Sequence, residues 1–133
     1  MRRFSLFLLA LAAICACSQL SPEEQAAQVA KSCYDQLLAG RYEAFLEGRA
    51  GMDSIPDGYR EQLLTAYKQF MSQQREAHGG ISSVQVNRTA FMEAPPDTTF
   101  QWVQVFMNLN YADSTSEEIV VLMVDQTGEW KMR

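Results

Sequence analysis

The chain has 133 residues, 47% of them hydrophobic, with 11 Lys and Arg against 16 Asp and Glu and a formal charge of −5. That length fits one domain able to bury a core without disulfide staples. The basic residues are scattered singly, so there is no Lys/Arg patch to neutralise phosphates, and nucleic acid is set aside as a partner.

The first segment is an address. Met1-Arg2-Arg3 is a short basic region, Phe4 to Ala16 is apolar, and Cys17 follows Ile14-Cys15-Ala16. A basic stretch, a short apolar stretch and a small residue at the cut make an export signal. The apolar run is too short for a spanning helix, which needs ~20 residues. The Ile-Cys-Ala-Cys sequence resembles the lipobox of bacterial lipoproteins: an aliphatic residue, a tolerant position, a small residue and the modified cysteine. The resemblance implies removal of residues 1–16, lipidation of Cys17 and a membrane-lipid partner through the acylated Cys. Ordinary cleavage after Ala12 or Ala16 is the alternative. Ser18 after the cysteine, rather than Asp, resembles the signal for onward transfer to an outer membrane.

Loss of Arg2 and Arg3 with the leader leaves nine basic residues against 16 acidic ones, a balance of −7. Of Cys15, Cys17 and Cys33, only Cys33 then remains as a thiol, so an intramolecular disulfide is excluded and a buried, inert thiol is expected. Residues 17–20 are the lipidated Cys and a tether reaching roughly 10 Å at ~3.3–3.6 Å per residue. A domain of about 13–14 Å radius on such a tether sits against the bilayer.

The domain, residues 21–133, divides into a helical half and a β half. Ser21-Pro22-Glu23-Glu24 reads as a helix start, with Ser as N-cap and Pro in the first turn. Ala26, Val29, Ala30, Cys33, Leu37 and Leu38 recur at helical spacing, and Gly40 is the stop. Arg41 to Leu46 reads as a short second helix, and Asp57 to Ala77 as a long third one with the stripe Leu63, Leu64, Tyr67, Phe70 and Met71. His78-Gly79-Gly80 ends it.

In the β half, Val84, Val86, Ala90 and Met92 alternate with polar residues, although Arg88 breaks the apolar set. Pro95-Pro96-Asp97 is a connection, Thr99 to Tyr111 a long strand, Ala112-Asp113-Ser114 a turn and Glu117 to Asp125 a strand. Gln126-Thr127-Gly128 turns into a last strand over Glu129 to Arg133. The expected architecture is α+β, with N-terminal helices packed on a curved antiparallel meander.

This layout resembles the nuclear-transport-factor-two-like (cystatin-like cone) superfamily. Leu37-Leu38-Ala39-Gly40-Arg41-Tyr42-Glu43-Ala44-Phe45 is similar to that group's passage out of the first helix. Thr127-Gly128-Glu129-Trp130-Lys131 is similar to its final hairpin. With the lipoprotein signal in front, the chain looks like the small Bacteroides-type lipoproteins classed as domains of unknown function, some labelled "putative lumazine-binding". These motifs specify fold rather than chemistry.

Enzymes of the superfamily, so the resemblance implies, keep an Asp, His or Tyr inside the cone. Here one face of the long strand carries Val103, Val105, Met107, Leu109 and Tyr111, and offers no acid or base to the interior. His78 is the only histidine and is explained by a dipole contact at a helix end. One His and one free Cys do not build a zinc set, so no metal and no cofactor are expected. Tyr34, Tyr67 and Tyr111, with Met107, are the candidate ligand-binding residues at the edge of an apolar pocket, against the alternative of core packing. Trp102 and Phe106 lie on the opposite face, beside a strand apolar on both sides, and are the candidate interface residues. Curl and loop cover explain such a face, and so does a homodimer through it. The expectation is an exported, membrane-anchored, non-catalytic binding domain in a bacterial cell envelope, taking a small apolar ligand in the cone or a protein on the sheet. A structural subunit of an envelope assembly and a hydratase- or isomerase-like enzyme are the alternatives.

Overall fold

In the computed structural model, the described residues are 20–93, 96, 100–125 and 128–133. Cys17 and the leader, Pro95, Thr99, and Gln126-Thr127 of the last turn lie outside them. The helices are α1 (Pro22–Leu38), α2 (Tyr42–Glu47) and α3 (Asp57–His78), with a 3-10 turn over Met52–Ser54. The strands are β1 (Ile81–Met92), β2 (Gln101–Tyr111), β3 (Ser116–Asp125) and β4 (Trp130–Met132). They form one antiparallel sheet in the order β1-β2-β3-β4, the expected meander.

α1 starts as its sequence dictates: the Ser21 hydroxyl accepts the Glu24 N–H at 3.2 Å and Pro22 opens the first turn. Its stripe of Ala26, Ala30, Cys33 and Leu37 is buried against the inner sheet face, where Val103, Val105, Met107, Leu109 and Tyr111 alternate with less buried neighbours. Burial of such apolar area contributes about 25 cal/mol per Å². α3 ends where Gly79 adopts φ +77°, letting the N–H groups of Gly79 and Gly80 cap the carbonyls of Arg75 and Gln74.

Two features depart from the alternation expected of the β half. A register shift between Val86 and Arg88 moves the pleat by one residue. Val84 and Val86 face the core opposite Leu109 and Met107, but Thr89 and Phe91 take that face further on, opposite Val105 and Val103. Ala90 and Met92 therefore lie with Gln104 and Trp102 on the outer face, as does Arg88, whose guanidinium sits 3.6 Å above the Phe106 ring. A bulge is what lets a strand change face without a break. The long strand, expected from Thr99, is described from Gln101.

The second feature is the edge at β4. The segment after α2 runs alongside it: Met132 N–H donates to the Gly48 carbonyl at 2.8 Å and Ala50 N–H to the Met132 carbonyl at 2.7 Å. This parallel bridge covers the short edge strand, and β4 in turn pairs with only Met123 to Asp125 of β3. The first half of β3 has β2 on one side and no strand on the other among the described residues.

Candidate functional site

A crevice of about 240 Å³ opens where β3 runs free of β4. Four helical or near-helical positions build its wall. Tyr34 comes from the middle of α1, Phe45 from α2, Arg49 from the segment stitched to β4, and Tyr67 from α3. Val121 and Met132 lie across from them on the sheet. Phe45 is the hub. Its ring meets Tyr34 at 5.2 Å and Tyr67 at 4.9 Å between centroids, with interplanar angles of 81° and 90°, both edge-to-face.

Arg49 is held over this aromatic corner. One guanidinium nitrogen donates to the Tyr67 hydroxyl at 3.0 Å, and the flanking backbone bonds to β4 fix where the side chain starts. Burial pushes the Tyr34 phenol above its ordinary value, neighbouring Cys33 and Tyr67 add to the rise, and Arg49 opposes it. The corner thus sets two tyrosines and Arg49 around a small crevice.

A larger groove of about 490 Å³ runs from Met52–Ser54 to Lys131, with Glu47 and Asp53 on its walls. Aromatic walls are missing there, and Lys131 is already occupied by the Glu47 carbonyl at 2.9 Å and Glu129 at 3.9 Å. The smaller crevice carries the more specific chemistry.

The sequence-derived residues separate. Tyr34 and Tyr67 line the crevice, but Met107 is fully buried in the core and Tyr111 lies towards the β2–β3 turn. The Tyr111 ring is buried, stacked 4.0 Å from His78, while its hydroxyl reaches out to donate to Glu117 at 2.8 Å. Burial, then that hydrogen bond and the charge of Glu117, push its pKa up to about 12. His78 Nδ1 in turn lies 2.8 Å from the Asp113 carboxylate, and the Asp113 N–H donates to the His78 carbonyl. Bonds from Thr115, then His78, lower Asp113 to about 2. The histidine is more than a partner for the helix end: it clasps α3 to the β2–β3 turn.

On the outer face, Trp102 and Phe106 are each half-buried beneath an arginine, Arg133 at 5.0 Å from the Trp102 ring and Arg88 on Phe106. The Trp102 indole N–H is buried with no hydrogen-bond partner among the described residues. This face is apolar at one end and polar at the other, where Asn87 donates to Asn108 and Glu118, and Asn110 to Ser83. Val120 remains 52% exposed, whereas Val124 is fully buried.

Reasoning from sequence missed Phe45 and Arg49. Phe45 reads as an ordinary core residue of a short helix, and Arg49 as one of several isolated bases in a loop. Only the close sequence neighbourhood of Tyr42, Phe45 and Arg49 hints at a shared face. Among the described residues no group of three metal-binding side chains converges, and no helix is long and apolar enough to cross a membrane.

The α-helices followed by a four-stranded antiparallel meander match the crystal structure described as "Putative NTF2-like transpeptidase" from Campylobacter jejuni, with a TM-score of 0.60. The match covers 79% of this chain and 94% of that one at 8% sequence identity. The chain has the nuclear-transport-factor-two-like fold. At that identity the likeness is one of fold, the level at which the sequence resemblance stood. No family model matches the chain, and no curated protein matches it.

Proposed function

We propose that this protein is an exported, lipid-anchored domain of the nuclear-transport-factor-two-like fold that acts by binding a small molecule in the crevice between α1, α2, α3 and β3. The observation that carries the reading is the aromatic corner of Tyr34, Phe45 and Tyr67 gathered around half-buried Arg49. Ligand sites combine such apolar walls with a few placed polar groups. Catalysis is not part of the proposal: among the described residues no Asp, Glu, His, Lys or Arg is buried in the interior to serve as a tuned acid or base. The Campylobacter neighbour is named as a transpeptidase, and that activity is not carried over at 8% identity.

Two measurements test it. Cys17→Ser should move the protein from the membrane to the soluble fraction, because two or more acyl chains anchor stably and none does. Native mass spectrometry of the acylated protein released from lipid nanodiscs should show a retained small molecule after exposure to cell extract. Lumazine belongs among the compounds offered, since similar lipoproteins carry that label. A protein that stays on the membrane without Cys17, or that retains nothing, ends the reading.

A second reading places a further copy of the chain on the outer sheet face. Half-exposed Val120 beside Phe106 and Leu122 favours it. Sedimentation equilibrium of the wild type and Val120→Glu decides: a monomeric wild type removes this reading.

A further inference from the structure

This step rests on the crevice being the binding site and concerns what it takes. We infer that the crevice selects a small organic monoanion, a carboxylate on a flat apolar body, with Arg49 as its ion partner. Four basic side chains of the described residues are half-buried: Arg49, Arg60, His78 and Lys131. Three of them have a carboxylate within 4.0 Å, namely Arg60 with Glu47, His78 with Asp113 and Lys131 with Glu129. Arg49 has none among the described residues, although the chain as a whole is acidic. The bases outside this group that also lack a carboxylate, such as Arg41, Lys68 and Arg75, are exposed and solvated.

A charge withdrawn from water without a partner is costly, and an anion arriving at it recovers that cost. The guanidinium has five N–H donors in a planar fork, and the Tyr67 hydroxyl engages one nitrogen. The remaining donors match two carboxylate oxygens side by side. Glu and Asp are absent from the crevice lining.

The walls decide the rest of the ligand. Tyr34 and Tyr67 stand edge-to-face on the buried Phe45 and line the crevice, an aromatic wall that suits a flat apolar body better than a flexible chain. At about 240 Å³ the crevice is small, which makes single-ring acids the first compounds to offer it.

Ligand-observed NMR on the mature acylated protein in nanodiscs, with empty nanodiscs as reference, tests this using benzoate, benzamide and benzylamine as probes. Benzoate should bind, with benzamide at least about tenfold weaker and benzylamine weaker still, the ratio expected for a charge-assisted hydrogen bond. Arg49→Gln, folded by its melting temperature, should weaken benzoate by about tenfold or more and benzamide by clearly less, since only benzoate loses a charge-assisted contact. If Arg49→Gln does not fold, the order of the three probes on the wild type decides. Equal binding of benzoate and benzamide, or benzoate binding that survives Arg49→Gln, overturns the anion assignment and leaves the crevice as a binding site. No binding of any probe, together with native spectra that retain nothing from extract, removes both.

Discussion

A Cβ placed on Gly48 would stand 2.5 Å from the Sγ of Cys33. The thiol of α1 therefore packs against bare backbone, at the point where the segment after α2 pairs with β4. Gly48 has φ −72°, so its conformation would admit alanine and only the contact forbids it. The same Cβ would meet the Met132 side chain and the Phe45 carbonyl at 3.3 Å, which blocks a simple sideways escape. Gly48→Ala should cost about 1–3 kcal/mol, the usual range for overpacking. Cys33→Ala in the same chain should recover most of it, because it removes the opposing atom. Urea denaturation of the two single variants and the double variant measures the coupling, which should be well away from zero for residues in contact.

The packing around Cys33 also sets its reactivity. The residue is 8% exposed, and burial pushes its thiol above the usual range while Lys131 opposes weakly. Little thiolate is present at neutral pH. In the folded protein a disulfide-exchange reagent, followed by peptide mapping, should therefore modify Cys33 orders of magnitude more slowly than a free cysteine, and at the full rate in denaturant. Rapid labelling of the folded protein would mean that α1 opens locally.

The clasp between α3 and the β2–β3 turn predicts two limbs of pH dependence. Asp113 is lowered from 3.8 to about 2 on folding. Its contribution is present above pH 3.8 and is lost as the pH falls through about 2, because the unfolded chain takes up the proton first. Asp113→Ala should flatten the acid limb of a stability-versus-pH curve in that window. Tyr111 is raised from 10.0 to about 12, so its contribution is full below pH 10 and is lost as the pH rises through about 12. Tyr111→Phe should flatten that alkaline limb while giving up the bond to Glu117. Thermal melts across both windows check the signs.

Arg88 is the residue that the sequence pattern made awkward and the bulge made useful. Arg88→Ala should expose the Phe106 face and lose about 0.5–1 kcal/mol, the exposed range for a cation over a ring. Arg88→Lys should keep only part of that, since the ammonium lacks the planar stacking surface. Chemical denaturation resolves the difference, and equal loss in both variants would count against the ring contact.

Much of the fold was legible in the chain because it is written in local rules. The Ser21 cap, the stripe Ala26-Ala30-Cys33-Leu37 and the period-two run from Val103 to Tyr111 each signal an element through its own geometry. Glycine at the end of α3 did the same. The strand carrying Arg88 was less legible, since a bulge shifts the pleat by one residue and no residue type announces it. The candidate site was legible in part. Tyr34 and Tyr67 could be picked out as polar aromatics on apolar stripes, but the pattern grouped them with Tyr111 and Met107 because all lie on inward faces.

The sequence by itself determined the helix and strand elements and the face of the long strand that turns inward. Those follow from spacing and from the chemistry of neighbours a few residues apart. Only the tertiary structure decided that β4 is too short to cover β3, that Gly48 and Ala50 pair with Met132, and that Arg49 comes to rest on Tyr67 with no carboxylate within 4.0 Å among the described residues. The last two are contacts between residues 18 to more than 80 positions apart. Their partners are chosen by how the helices seat on the curved sheet, and local periodicity carries no record of that choice.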